Sequence, residues 1–432
     1  MALPKVGWGR GVYVYDNAGK QYIDGSGGPA VFCLGYGNEE VNEAITRQLQ
    51  KVMHGYRATW TSDPLEELTA LVAERCGLTL TSVLFVSGGS EAVEAALKIA
   101  LQYHTARGES TRRRFISRRR SWHGSTLGAL SISGFEERRA PYEGALIEGS
   151  LLSPANTYRP PAGVTRDQVG AFCAQELERE ILRLGSENVA AFIFEPVVGA
   201  AGGVVPAPPG YAALVRQICD RYGVLMIADE VMCGSGRCGT FRALEPDGVV
   251  PDIMTIAKGL AGGYIPLGAT IYGANIAATL TTGPATGHTF SGHTTACAAG
   301  VAVQTIISRE RLIERVRDTG PRFLSMIRDA VGDLEAVGDI RGRGFFVGIE
   351  LVADRVTKEP FAAGLKLYQR VRQQAFEHGL ICYPSGGNVD GICGDTVILA
   401  PPYNATENEL AEIADKFGLA TRATLRDLDH RV

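Results

Sequence analysis

No run of about 20 apolar residues occurs that could span a bilayer, and residues 1–5 lack the apolar segment of a secretory leader. A membrane partner is therefore not expected, and the cytoplasm is the expected compartment. Basic excess is also missing. The chain carries 43 Lys and Arg against 47 Asp and Glu, a net charge of −4, which leaves no overall footprint for nucleic acid. The cluster Arg112, Arg113, Arg114 and Arg118, Arg119, Arg120 flanks a short apolar strand and reads as a solvated rim. Nine cysteines are scattered without a CxxC pair or the Cys/His spacing of a zinc site, so no metal is expected. Their odd number fits free thiols in a reducing compartment. Internal repeats and low-complexity tracts are absent. What is present is ordinary globular composition, 45% hydrophobic and 21% charged, over 432 residues. That length exceeds what one core usually organises, so two domains are expected.

The chain is organised around residues 223–268. Two short apolar segments, 224–228 and 253–257, run into Asp229-Glu230 and Lys258-Gly259. Short apolar runs bounded by Gly read as interior strands of a parallel sheet, and ligands bind beyond the carboxyl ends of such strands. Asp229 and Lys258 then form either a rim ion pair or the two sides of a ligand site.

Upstream, residues 12–15 and 21–24 flank the turn Asp16-Asn17-Ala18-Gly19 as a hairpin, and a Gly-rich loop follows at 25–30. A helix is expected over 39–52 with Val41, Ala44, Ile45 and Leu49 on one face. Asp63 as N-cap and Pro64 in the first turn open the next helix. Strand 83–86, the turn Ser87-Gly88-Gly89-Ser90 and a helix over 91–100 form a junction whose free N–H groups suit a phosphate. It lacks the Lys-Ser/Thr of a P-loop and is not GxGxxG, so the phosphate of a smaller cofactor fits better. Trp122 and His123 stand at another strand end, where an indole either covers a flat ring or packs in the core. After an irregular Pro-rich stretch at 150–162, helix 167–184, strand 189–194 ending on Glu195-Pro196, and helix 211–222 alternate. That pattern gives a parallel sheet with right-handed crossovers. Beyond 308 the texture changes to a charged helix over 310–330, strands at 345–351 and 397–400, a helix near 362–378 and a terminal helix from 407, the pattern of a smaller domain.

Five segments, LFVSGGSEAVEAALKIA, SWHGSTLGALSISG, IADEVMCGSGRCGTF, TIAKGLAGGYIPLGA and HTFSGHTTACAAG, resemble the class III (omega-type) aminotransferases in order and spacing. The likeness runs from VYVYDNAGKQYIDG to LAPPYNATENEL. It implies an α/β fold, the fold type I of pyridoxal-phosphate enzymes that aspartate aminotransferase shares. The large cofactor-binding domain, with a mainly parallel sheet, would span 50–307, and a smaller α+β domain would join 1–49 to 308–432. It also implies pyridoxal 5′-phosphate as cofactor and a homodimer. On this resemblance Lys258 holds the cofactor's aldehyde carbon and moves a proton, and Asp229 keeps the pyridine nitrogen protonated. Gly89 and Ser90 would bind the 5′-phosphate, joined by Thr289 from a second copy. Trp122 and Val231 would cover the two ring faces, with His123 and Glu195 next to them.

Two positions depart from the family pattern. Relatives acting on 4-aminobutyrate or ornithine carry Glu where this chain has Ala200, and Gly391 stands where many carry a carboxylate-binding Arg. Arg57, with Trp60 beside it, is a candidate substitute at the entrance, while Asp390 favours a cationic group. The expected reaction is ping-pong transfer from an amine or omega-amino donor to a 2-oxo acid such as pyruvate. The alternatives on the same fold are an aminomutase, a racemase or a lyase.

Overall fold

The computed structural model describes residues 3–77, 79–281, 283 and 285–429. A seven-stranded sheet carries both charged strand ends. In spatial order its strands are Leu80–Val86, Gly268–Gly273, Ile253–Ile256, Leu225–Asp229, Val189–Phe194, Arg114–Arg118 and Ser150–Leu152. The last five run parallel, in registers that set Asp229 beside Thr255 and Ala228 beside both Met254 and Phe194. Strands Val189–Phe194, Leu225–Asp229 and Ile253–Ile256 are buried along their whole length, which is why they read as unbroken apolar runs. One face packs on helices Val169–Leu184 and Tyr211–Tyr222 around Phe192, Phe194 and Tyr211. The other packs on helix Gly89–Ala106 through Val93, Ala96 and Ala100.

Strand Gly268–Gly273 is antiparallel to both of its neighbours. A parallel return needs a crossover of a dozen residues or more, usually a helix, and the short link after Ile256 holds only a single 3₁₀ turn, Lys258–Leu260. The reversal pairs Gly268 with Val86, beside the turn at 87–90. It draws the chain that leaves Lys258 across to the helix start at Gly89.

A second, antiparallel sheet holds Val337–Arg343, Phe346–Leu351, Asp395–Leu399 and Tyr383–Gly386. Helices Leu312–Val331, Leu367–Glu377 and Glu407–Asp429 pack with it around Phe323, Phe345 and Phe417. The N-terminal strands Val6–Arg10, Tyr13–Asp16 and Gln21–Asp24 close a third sheet with Leu380–Ile381. Helix Thr294–Arg309 links the layers: Ala296 and Cys297 pack beneath the large sheet, Val303, Ile306 and Ile307 against the C-terminal core.

Local departures have physical causes. Helix Glu39–Lys51 buries Val41 and Gln48, whereas Leu49 is 54% exposed. Gln48 is tolerated inside because its Nε2 donates to Val52 O at 2.7 Å. Ser62, in extended backbone, caps the next helix, and Asp63 is its first residue. The irregular stretch at 150–162 contributes Ser150–Leu152 to the sheet edge. All nine cysteines are free, and among the described residues no group of His, Cys, Asp and Glu could hold a metal ion. Among the same residues no helix is long and apolar enough to cross a membrane.

Candidate active site

A cavity of about 380 Å³ opens beyond the carboxyl ends of the parallel strands. Gly89, Ser90, Trp122, His123, Glu195, Asp229, Val231 and Lys258 all line it, brought together from five separate strand ends.

Asp229 ends strand Leu225–Asp229 and is held from three sides. His123 Nδ1 donates to Oδ2 at 2.7 Å, and Oδ1 accepts from the Val231 N–H at 3.1 Å and the Thr255 hydroxyl at 3.2 Å. Lys258 follows strand Ile253–Ile256 in left-handed backbone, φ 44°, a conformation that costs a non-glycine residue about 1 kcal/mol. Among the described residues its amine meets no carboxylate within 4.0 Å. Burial holds the Lys258 ammonium below the ordinary lysine range, against the opposing pull of the Asp229 and Glu195 charges. The carboxylate and the amine thus face one cavity without touching, and the ion-pair reading of the two strand ends fails.

Glu195 Oε1 accepts the Trp122 N–H at 2.9 Å and Oε2 the Gly199 N–H at 2.8 Å, tying the Trp122 loop to the strand Val189–Phe194. Burial pushes its carboxyl up to about 7; the His123 charge opposes this and the Asp229 charge adds to it. The His123 N–H donates to Ser133 Oγ at 2.9 Å, while its buried Nε2 has no hydrogen-bond partner.

The fourth wall is the start of helix Gly89–Ala106. Its first-turn N–H groups have no intrahelical acceptor, and extended backbone at Gly88 turns them toward the cavity. Glu91 Oε2 takes the Ser87 N–H at 2.8 Å and Ser90 Oγ takes the Ser125 N–H at 3.0 Å, which fixes the turn. A Cβ at Gly89 would stand 2.9 Å from Val231 Cγ1, so the close approach requires glycine. These groups fit pyridoxal 5′-phosphate chemically. Free helix N–H groups suit a dianionic phosphate, an oriented carboxylate suits a protonated ring nitrogen, and an unpaired amine suits an aldehyde.

Other singled-out residues lie elsewhere. Thr289 is exposed and does not line this cavity, and neither do the exposed Arg57 and the 66% exposed Trp60. Ala200 is buried in a core with Val197, Val204 and Met232. Gly391 sits at φ 94°, and a Cβ there would come 3.1 Å from Glu136 Cβ and 3.3 Å from Arg120 Nη1, so the space next to it is already filled. Sequence reasoning missed Val31, Phe32, Met232 and Pro266 in the cavity wall. The Gly-rich loop before Val31 signalled a close approach without saying to what.

Glu230, next to Asp229, was also passed over. It is buried and accepts the Ala243 and Leu244 N–H groups, yet burial pushes its carboxyl up to about 7 from 4.5. Between those two pH values the unfolded chain releases a proton that the folded chain keeps, so stability falls as pH rises, by about 3 kcal/mol across the window. A Glu230→Gln variant lacks this loss. Thermal melts from pH 4.5 to 7 should show its Tm improving relative to the unaltered protein as pH rises.

A family model described as aminotransferase class-III matches residues 3–420. An uncharacterized aminotransferase of Schizosaccharomyces pombe is 40% identical over 430 residues, 98% of this chain and 94% of the relative. An adenosylmethionine-8-amino-7-oxononanoate aminotransferase of Nitratidesulfovibrio vulgaris is 37% identical over 409 residues, covering 93% and 73%. Among solved structures, an (S)-enantioselective omega-transaminase from Thermomicrobium roseum superposes with a TM-score of 0.92 at 34% identity, covering 98% and 94%. The omega transaminase from Pseudomonas jessenii in complex with PMP gives 0.93 at 30%, covering 99% and 94%. With the family model spanning nearly the whole length and the fold shared throughout, the chain belongs to the class III aminotransferases, enzymes dependent on pyridoxal 5′-phosphate.

Proposed function

We propose that this enzyme moves an amino group from an amine or omega-amino donor to a 2-oxo acid such as pyruvate, in the two half-reactions of a ping-pong cycle. The observation that carries the reading is the Lys258 amine and the His123-bound Asp229 carboxylate facing one cavity without meeting. When bound there, pyridoxal 5′-phosphate supplies an electron sink that weakens a C–H bond on the amine-bearing carbon. Lys258 Nζ, whose ammonium form burial disfavours, would take that proton and return it one position along. The Asp229 carboxylate, oriented by His123, would keep the ring nitrogen of the bound cofactor protonated. The Gly89 and Ser90 N–H groups would hold the phosphate and Trp122 and Val231 would flank the ring, while Glu195 braces the Trp122 loop.

The cofactor-binding domain in this reading is 50–307, with 1–49 and 308–432 forming the smaller one. A second copy completes the site by way of Thr289. The segment carrying Thr289 abuts residues 53–60: the Thr295 N–H donates to Met53 O, and Thr294 Oγ1 accepts the Gly55 N–H at 3.0 Å. Met53, Tyr56, Trp60 and Phe290 expose apolar side chains there, a patch that suits a subunit interface.

A half-reaction screen tests the reading. Adding an amine or amino acid donor without acceptor should replace the aldehyde absorbance of the cofactor by that of its pyridoxamine form, and pyruvate should restore it. A racemase or lyase need not accumulate that form. Failure of every amine and amino acid to convert the cofactor would refute transamination.

A further inference from the structure

Two imidazoles lie face to face beside Thr289, and both are bonded in ways that suit neutral rings. The His54 and His293 ring centres are 4.8 Å apart, with planes 2° from parallel, and Phe290 tilts against them at 6.1 and 5.9 Å. His54 Nε2 faces the Thr289 carbonyl at 3.3 Å, so that nitrogen carries a proton and donates it. His54 Nδ1 is buried without a partner, and a second proton there would have no acceptor. His293 is the N-cap of helix Thr294–Arg309, its Nδ1 accepting the Ala296 N–H at 3.4 Å. An imidazolium has no lone pair to cap with, and it would set a positive charge on the positive end of a helix. Burial first, and then the neighbouring His54, lower the His293 pKa below its ordinary value of 6.5. The surroundings do not offset a charge on the pair. Lys51 and Arg57 flank His54 along the chain, and the Arg57 charge is felt at the Cys297 thiol of the capped helix. Helix Asp63–Cys76 meets the turn through Leu65, which a Cβ on Gly292 would touch at 3.0 Å. Among the described residues neither its carboxylates, Asp63, Glu66 and Glu67, nor any other lies within 4.0 Å of either ring. His288, at the other end of the turn, does have a carboxylate: its Nδ1 is 3.9 Å from Glu91 Oε1, so acid favours that contact.

We propose that His54 and His293 are positioning residues: as a neutral stacked pair they hold Thr289 in place for the cofactor phosphate of a second copy, and proton uptake by the pair releases it, so that cofactor affinity falls in acid. The assignment rests on the reading above in which Thr289 completes the site of a second copy. Thr289 is exposed, and among the described residues its one hydrogen bond is that from His54 to its carbonyl. The turn around it otherwise closes on itself, the Ser291 N–H donating to His288 O at 2.9 Å and the His293 N–H to Phe290 O at 3.1 Å. Its placement therefore depends on His54 at one side and on the His293 cap at the other. Below pH 6.5 the released turn takes up a proton on His293 that the held turn excludes, so the held state loses stability as pH falls. A lost cap and an unfavourable charge at the helix end together shift that equilibrium about 10-fold.

The test follows retention of pyridoxal 5′-phosphate by the diluted holoenzyme at one pH unit above and one below 6.5, read as an apparent dissociation constant. His293→Asn keeps a capping acceptor and removes the titration; His54→Phe keeps a ring on His293 and removes the donor to Thr289. On acidification the constant of the unaltered enzyme should rise about 10-fold more than that of the Asn variant. Effects of pH on the cofactor itself are common to both and cancel in the comparison. At the higher pH the Phe variant should hold the cofactor about 2- to 10-fold more weakly than the unaltered enzyme. An Asn variant whose constant rises with acid as steeply as that of the unaltered enzyme overturns the proposal, and marks His293 as a cap only. A Phe variant with unchanged affinity at the higher pH overturns it as well. Thr289→Ala separates the two readings. Unchanged affinity in that variant refutes the shared site, and the proposal with it. Weakened affinity there, with neither histidine variant differing from the unaltered enzyme, leaves the shared site standing and refutes the role of the pair alone.

Discussion

Lys258→Ala should lower transamination at least ~10⁴-fold, because on the proposed reading one side chain both anchors the cofactor and moves the proton. Both roles use the neutral amine, and burial shifts the group in that direction by disfavouring the ammonium. The fold should not suffer in proportion. Lys258 has no carboxylate within 4.0 Å among the described residues, so the substitution deletes no ion pair, and Ala is about as costly as Lys at φ 44°. Thermal unfolding should therefore shift little while activity disappears. A second measurement isolates the anchor. Borohydride should fix pyridoxal 5′-phosphate onto the unaltered chain, visible as added intact mass, and leave the Ala variant unmodified. The variant should still bind the cofactor reversibly, through the helix start at Gly89 and through Asp229. Turnover above about 1% of the unaltered rate would mean that another group in the cavity moves the proton, and Lys258 would lose its assignment.

The centre of the site was legible because each of its parts is local in sequence. An apolar run that stops at a charge marks a strand end, and residues 224–229 and 253–258 each contain the whole signal. The turn at 87–90 likewise carries its own geometry, a strand, two glycines and a helix start. Strand direction is another matter. Gly268–Gly273 is buried on both faces, so its residues are equally suited to a parallel or an antiparallel partner, and only the shortness of the preceding link decides. Helix faces failed where a polar residue satisfied itself: the carbonyl of Val52 lets Gln48 occupy the place expected of Leu49.

Contacts between distant loops were not legible at all. Gly391 looked like a missing side chain, but its surroundings are filled by Arg120 and Glu136, which arrive from a stretch more than 250 residues earlier. The arginines at 118–120 read as a solvated rim, yet Arg118 and Arg120 are buried, Arg118 donating to Glu195 O and lying against Phe194 and Tyr211. A run of charge states which residues could be solvated. Which of them fold back over aromatic rings depends on packing that no window of sequence contains.

Asp229→Asn separates charge from shape at the carboxylate that faces Lys258 across the cavity. Asn is nearly isosteric, and its Oδ1 can still accept the Val231 N–H and the Thr255 hydroxyl. Its amide would face His123 Nδ1, which can then only accept, so the imidazole proton must move to Nε2. That atom is buried without a partner in the unaltered protein too, so what the variant loses is the charge-assisted His123–Asp229 bond, exchanged for a neutral one at a cost of about 1–2 kcal/mol. The melting temperature should accordingly drop, and kcat should fall by about 10²- to 10³-fold as the ring nitrogen loses its counter-charge. Instability and lost electrostatics are told apart by changing the cofactor. An analogue methylated on the ring nitrogen carries a fixed positive charge and no longer depends on a neighbouring anion to keep a proton. It should raise the rate of the Asn variant toward that of the unaltered enzyme, without restoring the melting temperature. A variant that turns over at the unaltered rate with the natural cofactor would show that Asp229 only positions His123. A variant rescued in stability but not in rate by the analogue would place the defect in the fold of the site. Between these outcomes the His123 tautomer decides how much of the loss belongs to the carboxylate charge itself.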